Sequence, residues 1–94
     1  MNEKPFKLTL DKKATYRIIV PGEVQKFQLG VGDFTVDLKE IGPDNQAVTV
    51  MTCVFDQAGL YGFIRRIYAM GLPLIGVICL SYPASILLNN ITGE

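Results

Sequence analysis

The chain is 94 residues long, carries no net charge, and is 49% hydrophobic but only 19% charged. This length fits one domain, residues 1–94, with a single core. The charge balance gives no reason to expect nucleic acid or an acidic membrane as a partner. The sequence has no histidine, which is the commonest general base and zinc ligand.

The first segment, residues 1–13, mixes lysines with apolar side chains. Phe6, Leu8 and Leu10 alternate with Lys7 and Thr9, a pattern that favours a short edge strand. A partly ordered N-terminal arm fits the same composition. Both interpretations stay open from the sequence.

The first predicted strand spans residues 14–20, where Tyr16, Ile18 and Val20 share one face. Pro21 and Gly22 end it. An irregular connection follows, and we expect its apolar side chains to fold back onto the core: Val24, Phe27 and Leu29.

A hairpin is predicted over residues 33–41 and 46–55, because turn residues 42–45 (Gly-Pro-Asp-Asn) separate two strand patterns. In the first strand apolar and polar residues alternate, which is typical of a sheet with one wet face. The second strand is apolar on both sides and is therefore expected to be central. Its Met51 is assigned to the face opposite the helix, together with Ile19.

The helix is predicted over residues 57–70. Asp56 is a good N-cap, because its carboxylate can accept hydrogen bonds from free N–H groups of the first turn. The apolar residues recur at the spacing of one helical face: Leu60, Phe63, Ile64 and Ile67. Gly71 suits a left-handed helix stop, and Pro73 prevents the helix from resuming.

The last predicted strand, residues 74–80, has no polar side chain, which favours a strand covered on both faces. A crossover helix before it predicts that it runs parallel to strand 46–55. The fold class is therefore α+β, in the order β-β-β-α-β, with one helix on a mixed sheet. The two cysteines, Cys53 and Cys79, lie on the strands that flank the helix, and a disulfide requires those strands to be adjacent.

The segment that begins at Asp56 resembles a widespread set of small uncharacterised bacterial proteins. Residues 56–67 and 71–77 are similar to that family's motif, D-Q-A-A-L-H-G-L-L-x-x-I-R-D-L-G-L-P-L-L-S-V, and residues 16–22 are similar to its first strand, Y-x-I-x-V-x-G. Tyr61 stands where that family usually has His, and Gly59 where it has Ala. The resemblance implies the fold and implies no activity.

Residues 50–78 also resemble, more weakly, the ACT class of amino-acid-sensing domains, whose motif is similar to D-x-P-G-L before a helix and a strand. Ala58 stands where proline is usual. That resemblance implies ligand binding near the first loop, often across a dimer.

No catalytic, cofactor-binding or metal-binding set can be assembled from the sequence. The residues with a possible ligand or partner contact are Asp56, Gly59, Tyr61, Gly62, Arg65 and Tyr68. The two glycines allow either close approach of a phosphate to the helix N-terminus or close packing of the helix on the sheet. The two tyrosines form a cation–π surface for a partner with Arg65 and Arg66, or these arginines belong to a solvated helix face.

One alternative concerns residues 67–88, which contain no charge and are long enough to cross a bilayer. Gly71 and Pro73 break this run into shorter pieces, which argues against a membrane span. Within the C-terminal tail, residues 82–94, we expect residues 84–88 to form a short helical or extended segment that packs on the sheet or on a partner chain.

The sequence leads to a cytoplasmic, non-enzymatic module for protein interaction or self-association, and its partner is either a second copy in a homodimer or an unknown protein. A reduced, cytoplasmic setting follows from the two cysteines and the lack of a signal sequence. A small-ligand sensor of the ACT type and a membrane-anchored protein are the alternatives.

Overall fold

The computed structural model describes residues 7–30, 32, 34–41, 44 and 46–81, except for the side chains of residues 27, 38, 40 and 41. The elements in chain order are strand β1 (Ala14–Pro21), a 3₁₀ helix (Lys26–Leu29), strands β2 (Phe34–Ile41) and β3 (Gln46–Phe55), helix α1 (Gln57–Ala69) and strand β4 (Gly76–Cys79). The predicted α+β class and the order β-β-β-α-β are confirmed. β4 is shorter than the predicted residues 74–80, and the other boundaries differ by one residue at most.

The four strands form one sheet in the order β2-β3-β1-β4, and every neighbouring pair is antiparallel. The predicted sheet contains both parallel and antiparallel neighbours, and this part of the prediction is wrong, because no two neighbouring strands in the described chain are parallel. β4 runs in the same direction as β3, but β1 lies between them. Because β1 and β2 already occupy both edges of β3, β4 cannot pair with β3, and after the crossover through α1 it joins the free edge of β1.

The hydrophobic core lies between α1 and one face of this sheet. Ile18 of β1 pairs with Met51 of β3, and neither side chain is exposed to solvent. Helix α1 contributes Leu60, Phe63 and Ile67 to the same layer. Met51 therefore lies beneath the helix, and its predicted place on the opposite face is wrong.

An aromatic cluster joins the helix to two strands. The ring of Phe63 lies 5.3 Å, centroid to centroid, from the ring of Phe34 and 5.3 Å from that of Phe55. Both pairs are tilted, an arrangement that aromatic rings favour. The cluster fixes α1 over β2 and the end of β3.

A buried hydroxyl fastens the connection after β1. Thr49 Oγ1 donates to the carbonyl of Gly22 over 2.7 Å and accepts from the N–H of Val24 over 2.9 Å. Thr49 is the buried polar residue of the described core, and both hydrogen bonds offset the cost of its burial. Val24 and Leu29 are buried as predicted, while the side chain of Phe27 is outside the described set.

The helix begins and ends where the sequence predicts. Asp56 Oδ1 accepts from the N–H of Gly59 over 2.8 Å. At the other end, Gly71 has a φ of 79°, its N–H donates to the carbonyl of Tyr68, and the N–H of Leu72 donates to that of Ile67. These are the two hydrogen bonds of a Schellman motif, which turns the chain sharply towards β4.

The N-terminal segment does not add a strand over residues 7–13. Instead it packs beside the start of α1, where the carbonyl of Leu10 accepts from the N–H of Gln57 over 3.1 Å. Leu8 is partly buried against the core. Residues 1–6, including the predicted Phe6 of an edge strand, lie outside the described residues.

The strand order separates the two cysteines. Cys53 and Cys79 are paired in register with the same residue, Tyr16, from opposite sides. Two strand spacings separate them, about 9.6 Å, which exceeds the roughly 7 Å between Cα atoms that a disulfide tolerates. Both cysteines are free thiols, and burial raises the pKa of Cys53 to about 11.

We therefore expect selective alkylation at pH 8. Iodoacetamide reacts with thiolates, so half-buried Cys79 should acquire an adduct while fully buried Cys53 does not. Intact-mass and peptide mass spectrometry measures this directly. Urea should make both thiols react. A disulfide-linked chain, or equal labelling of both cysteines in the native protein, would contradict the strand order.

Candidate interaction surfaces

The six predicted contact residues on α1 do not form one site. The N–H of Gly59 donates a hydrogen bond to the Asp56 carboxylate at the helix cap. A carboxylate at this position repels the anion that a helix N-terminus would otherwise attract. A Cβ atom on Gly59 would lie 3.0 Å from Phe55 Cδ1. Of the two interpretations for Gly59, this geometry supports close packing.

Gly62 has a different environment. It is exposed, and a Cβ atom there would meet no heavy atom within 4 Å, so packing does not require glycine. It borders a cleft of about 190 Å³ that also includes Phe63 and Arg66. That volume is below the roughly 300 Å³ at which small-molecule sites begin.

Arg66 crosses from α1 to the end of the 3₁₀ helix. A Cβ atom on Gly30 would lie 2.9 Å from Arg66 Nη1, and Gly30 has a φ of 89°. Glycine at position 30 therefore serves both the backbone conformation and the close approach of the guanidinium group. Gly30 was not among the contact residues selected from the sequence, where it belongs to the run Gly-Val-Gly at 30–32 that precedes the next strand.

Tyr61, Arg65 and Tyr68 follow one stripe on the outer side of α1, as their spacing of four and three residues predicts. The two tyrosines are 59% and 83% exposed. Among the described residues, Arg65 has no cation–π contact with either ring. The stripe is a solvated helix face in this structure.

A second surface follows β4, and we call it the β4 edge patch. It consists of exposed apolar side chains on the strand and its two flanks: Leu74, Ile75, Val77, Ile78 and Leu80. Their exposures run from 37% to 55%. The prediction that this strand is covered on both faces is wrong, because β4 lies at the sheet edge, beyond the part that α1 covers.

The outer side of β4 also presents backbone groups. The N–H of Leu80 donates to the carbonyl of Thr15 in β1 over 2.7 Å. Amide directions alternate along a strand, so the N–H groups of Val77 and Cys79 point away from β1. No charged residue occurs between Arg66 and Glu94, whereas natural edge strands are commonly protected by charge.

A third surface, which we call the open sheet face, is the side of the sheet opposite α1. The strand registers place Ile19, Val50 and Asp37 in one row across it, and Arg17 and Thr52 in the next. A shallow depression of about 400 Å³ lies here, bordered by Arg17, Ile19, Asp37, Lys39, Val48, Val50 and Thr52. Its floor is apolar and its rim is charged.

Two findings concern other kinds of site. In the described part of the chain, no group of three or more His, Cys, Asp or Glu residues is placed to hold a metal ion. Of the helices over residues 7–81 that the structure describes, none has the length and apolar content needed to cross a bilayer. A continuous helix over residues 67–88 is excluded, because Gly76–Cys79 is a strand.

The fold and these surfaces define a small α+β domain with an apolar sheet edge that no strand within the described residues pairs with. The chain belongs to a family described as a domain of unknown function, DUF8691, whose model matches residues 15–78. The match extends from β1 into β4 and includes α1, so the predicted membership of a small uncharacterised family is confirmed. Comparison with curated proteins and with solved structures finds no match, and nothing supports the likeness to ACT domains.

The two helix glycines give a matched test of packing. Gly62→Ala should raise the free energy of unfolding by roughly 0.5–1 kcal/mol, because alanine favours the helix and the site has room. Gly59→Ala should gain less or lose stability, since the new methyl group presses on Phe55. Urea unfolding followed by circular dichroism measures both. Equal stabilisation by the two substitutions would show that Gly59 is not there for packing.

Proposed function

We propose that this domain is a non-enzymatic self-association module of the cytoplasm, and that two copies pair through the β4 edge patch. The observation that carries this proposal is the coincidence of exposed apolar side chains with a strand edge that has no partner strand in the described part of the chain. Ile78, 40% exposed, lies between the outward-pointing amides of Val77 and Cys79, and Ile75, 55% exposed, precedes them in the chain. The cytoplasmic setting rests on the cysteine usage of the sequence and on the two free thiols.

A second copy fits this edge because antiparallel strands are self-complementary. About a two-fold axis, residue i of one strand faces residue j of the other, and the reverse contact is made at the same time. Two uncharged β4 strands create no like-charge repulsion across that axis. The pairing would join two four-stranded sheets into one.

The interaction energy is modest. Fully burying a Val, Leu or Ile side chain contributes about 1.5–3 kcal/mol, and the five side chains of the patch are each about half exposed. The two copies together therefore gain roughly 6–12 kcal/mol of apolar burial, which opposes an association cost of about 4–15 kcal/mol. The net gain is at most about 8 kcal/mol, so we expect a dissociation constant that is micromolar at the tightest.

The proposal predicts a specific sensitivity to charge on the β4 edge. Val77→Lys places two ammonium groups near the two-fold axis and should weaken dimerisation at least tenfold, which corresponds to about 1.4 kcal/mol. Sedimentation-velocity ultracentrifugation from low to high micromolar concentration measures the dimer fraction.

The matched control is Leu10→Lys, because Leu10 is 78% exposed and lies in the N-terminal segment. It should dimerise like the original protein. Circular dichroism establishes that both variants are folded. A strict monomer at high micromolar concentration, or equal dimerisation of the two lysine variants, would refute the proposal.

A further inference from the structure

The open sheet face carries apolar side chains that no described helix or strand covers. Along β3 it carries Val48, Val50 and Val54, and β1 adds Ile19. One helix can cover only one side of a sheet, and α1 lies on the other. Arg17, Asp37 and Lys39 surround the apolar centre and are exposed.

The described chain leaves the sheet beside this face. The N–H of Thr15 donates to Ser81 Oγ over 3.2 Å, so Ser81 lies at the end of the sheet where β1 begins. Thr15 is paired in register with Val54, and both side chains are on the open sheet face. The residues after Ser81 therefore start at the border of this surface.

The opposite side at the same end of the sheet is already occupied. Leu8 packs on the core there, and the Leu10 carbonyl is bonded to the first residue of α1, Gln57. Ala14, at the start of β1, is 4% exposed. Besides the β4 edge patch, which ends at Leu80, the open sheet face is thus an apolar surface at this end of the sheet that the described residues leave available.

The remaining sequence suits an apolar surface. Residues 82–94 contain Ile86, Leu87, Leu88 and Ile91, and their first charge is the final residue, Glu94. These 13 residues span about 43 Å when extended and about 20 Å when helical. Four strands are about 14 Å across, so either conformation reaches the far edge.

We propose that residues 82–94 dock on the open sheet face of their own chain, with Leu87 and Leu88 over the Ile19–Val50 row. Apolar contact supplies the attraction, and Arg17, Asp37 and Lys39 stay at the rim in water. This cover is separate from the β4 edge patch: it acts within one chain and does not require the dimer. It gives the sheet its second layer.

A paramagnetic label locates the segment. The test uses the full chain with two background substitutions. Val77→Lys makes the protein monomeric if β4 pairs as proposed. Cys79→Ser removes the accessible thiol, so that buried Cys53 is the native cysteine that remains. A nitroxide is attached at Asn89→Cys, a polar position that leaves the apolar anchors intact. Line broadening is read in ¹⁵N–¹H NMR spectra.

The expected result is strong broadening of the amides of Ile19, Val50 and Thr52, with little effect on Tyr61 and Tyr68 on the outer side of α1. Broadening centred on the helix face or on Gly76–Cys79, or no localised broadening, would overturn the docking. In a second sample the nitroxide-labelled chain, without ¹⁵N, is mixed with ¹⁵N-labelled protein that carries no nitroxide. The spectrum of the ¹⁵N-labelled protein should show no broadening. Broadening in the mixture would assign the contact to a second copy and would overturn the intramolecular proposal.

Charged substitutions in the segment provide an independent readout. Leu87→Asp with Leu88→Asp should at least halve the broadening, because two carboxylates cannot be buried on an apolar floor without a large cost. The control pair, Ser85→Asp with Asn90→Asp, adds the same two charges at polar positions and should leave the line broadening unchanged. Equal effects from both pairs would show that the apolar side chains do not hold the segment.

Discussion

The structure depends on one constraint: a single helix can cover only one face of the sheet. In this chain α1 lies over the side that carries Ile18, Met51 and Cys53, and those side chains are fully buried. The opposite face and the β4 edge are left with apolar side chains that the described elements do not cover. A domain of 94 residues has little stability in excess, so these surfaces matter for both stability and association.

The position of β4 follows from the central pair β1–β3. Eight residue pairs join these strands, from Ala14 with Phe55 to Pro21 with Val48. Strand β2 occupies the other edge of β3. These three strands leave two outer edges free, those of β1 and β2, and the strand that returns from α1 joins that of β1. The consequence is an uncharged strand at the boundary of the sheet, with the N–H groups of Val77 and Cys79 directed outward.

Much of the fold was predictable from local chemistry. Asp56 and Gly71 marked the ends of the helix, and the alternation after Phe34 and the turn residues marked the hairpin. The neighbours of β4 were not predictable. An apolar run indicates that a strand is buried in the core or exposes an apolar surface, but it does not show which element covers the strand. Met51 was assigned to the wrong face for a similar reason. Because β3 is apolar on both sides, the alternation of polar and apolar residues does not show which side of the strand faces the helix. Of the candidate contact residues, the sequence identified the outer stripe of α1 but missed the β4 edge patch, whose apolar residues looked like core.

The claim at the centre of this account is that the outer edge of β4 pairs with another β4. Amide hydrogen exchange at Val77 and Cys79, followed by NMR as a function of protein concentration, tests it most directly. If the account is right, exchange at these two amides slows as concentration rises through the micromolar range, while the amide of Leu80, already bonded to Thr15, shows no such dependence. Exchange at Val77 and Cys79 that stays fast at every concentration would contradict it.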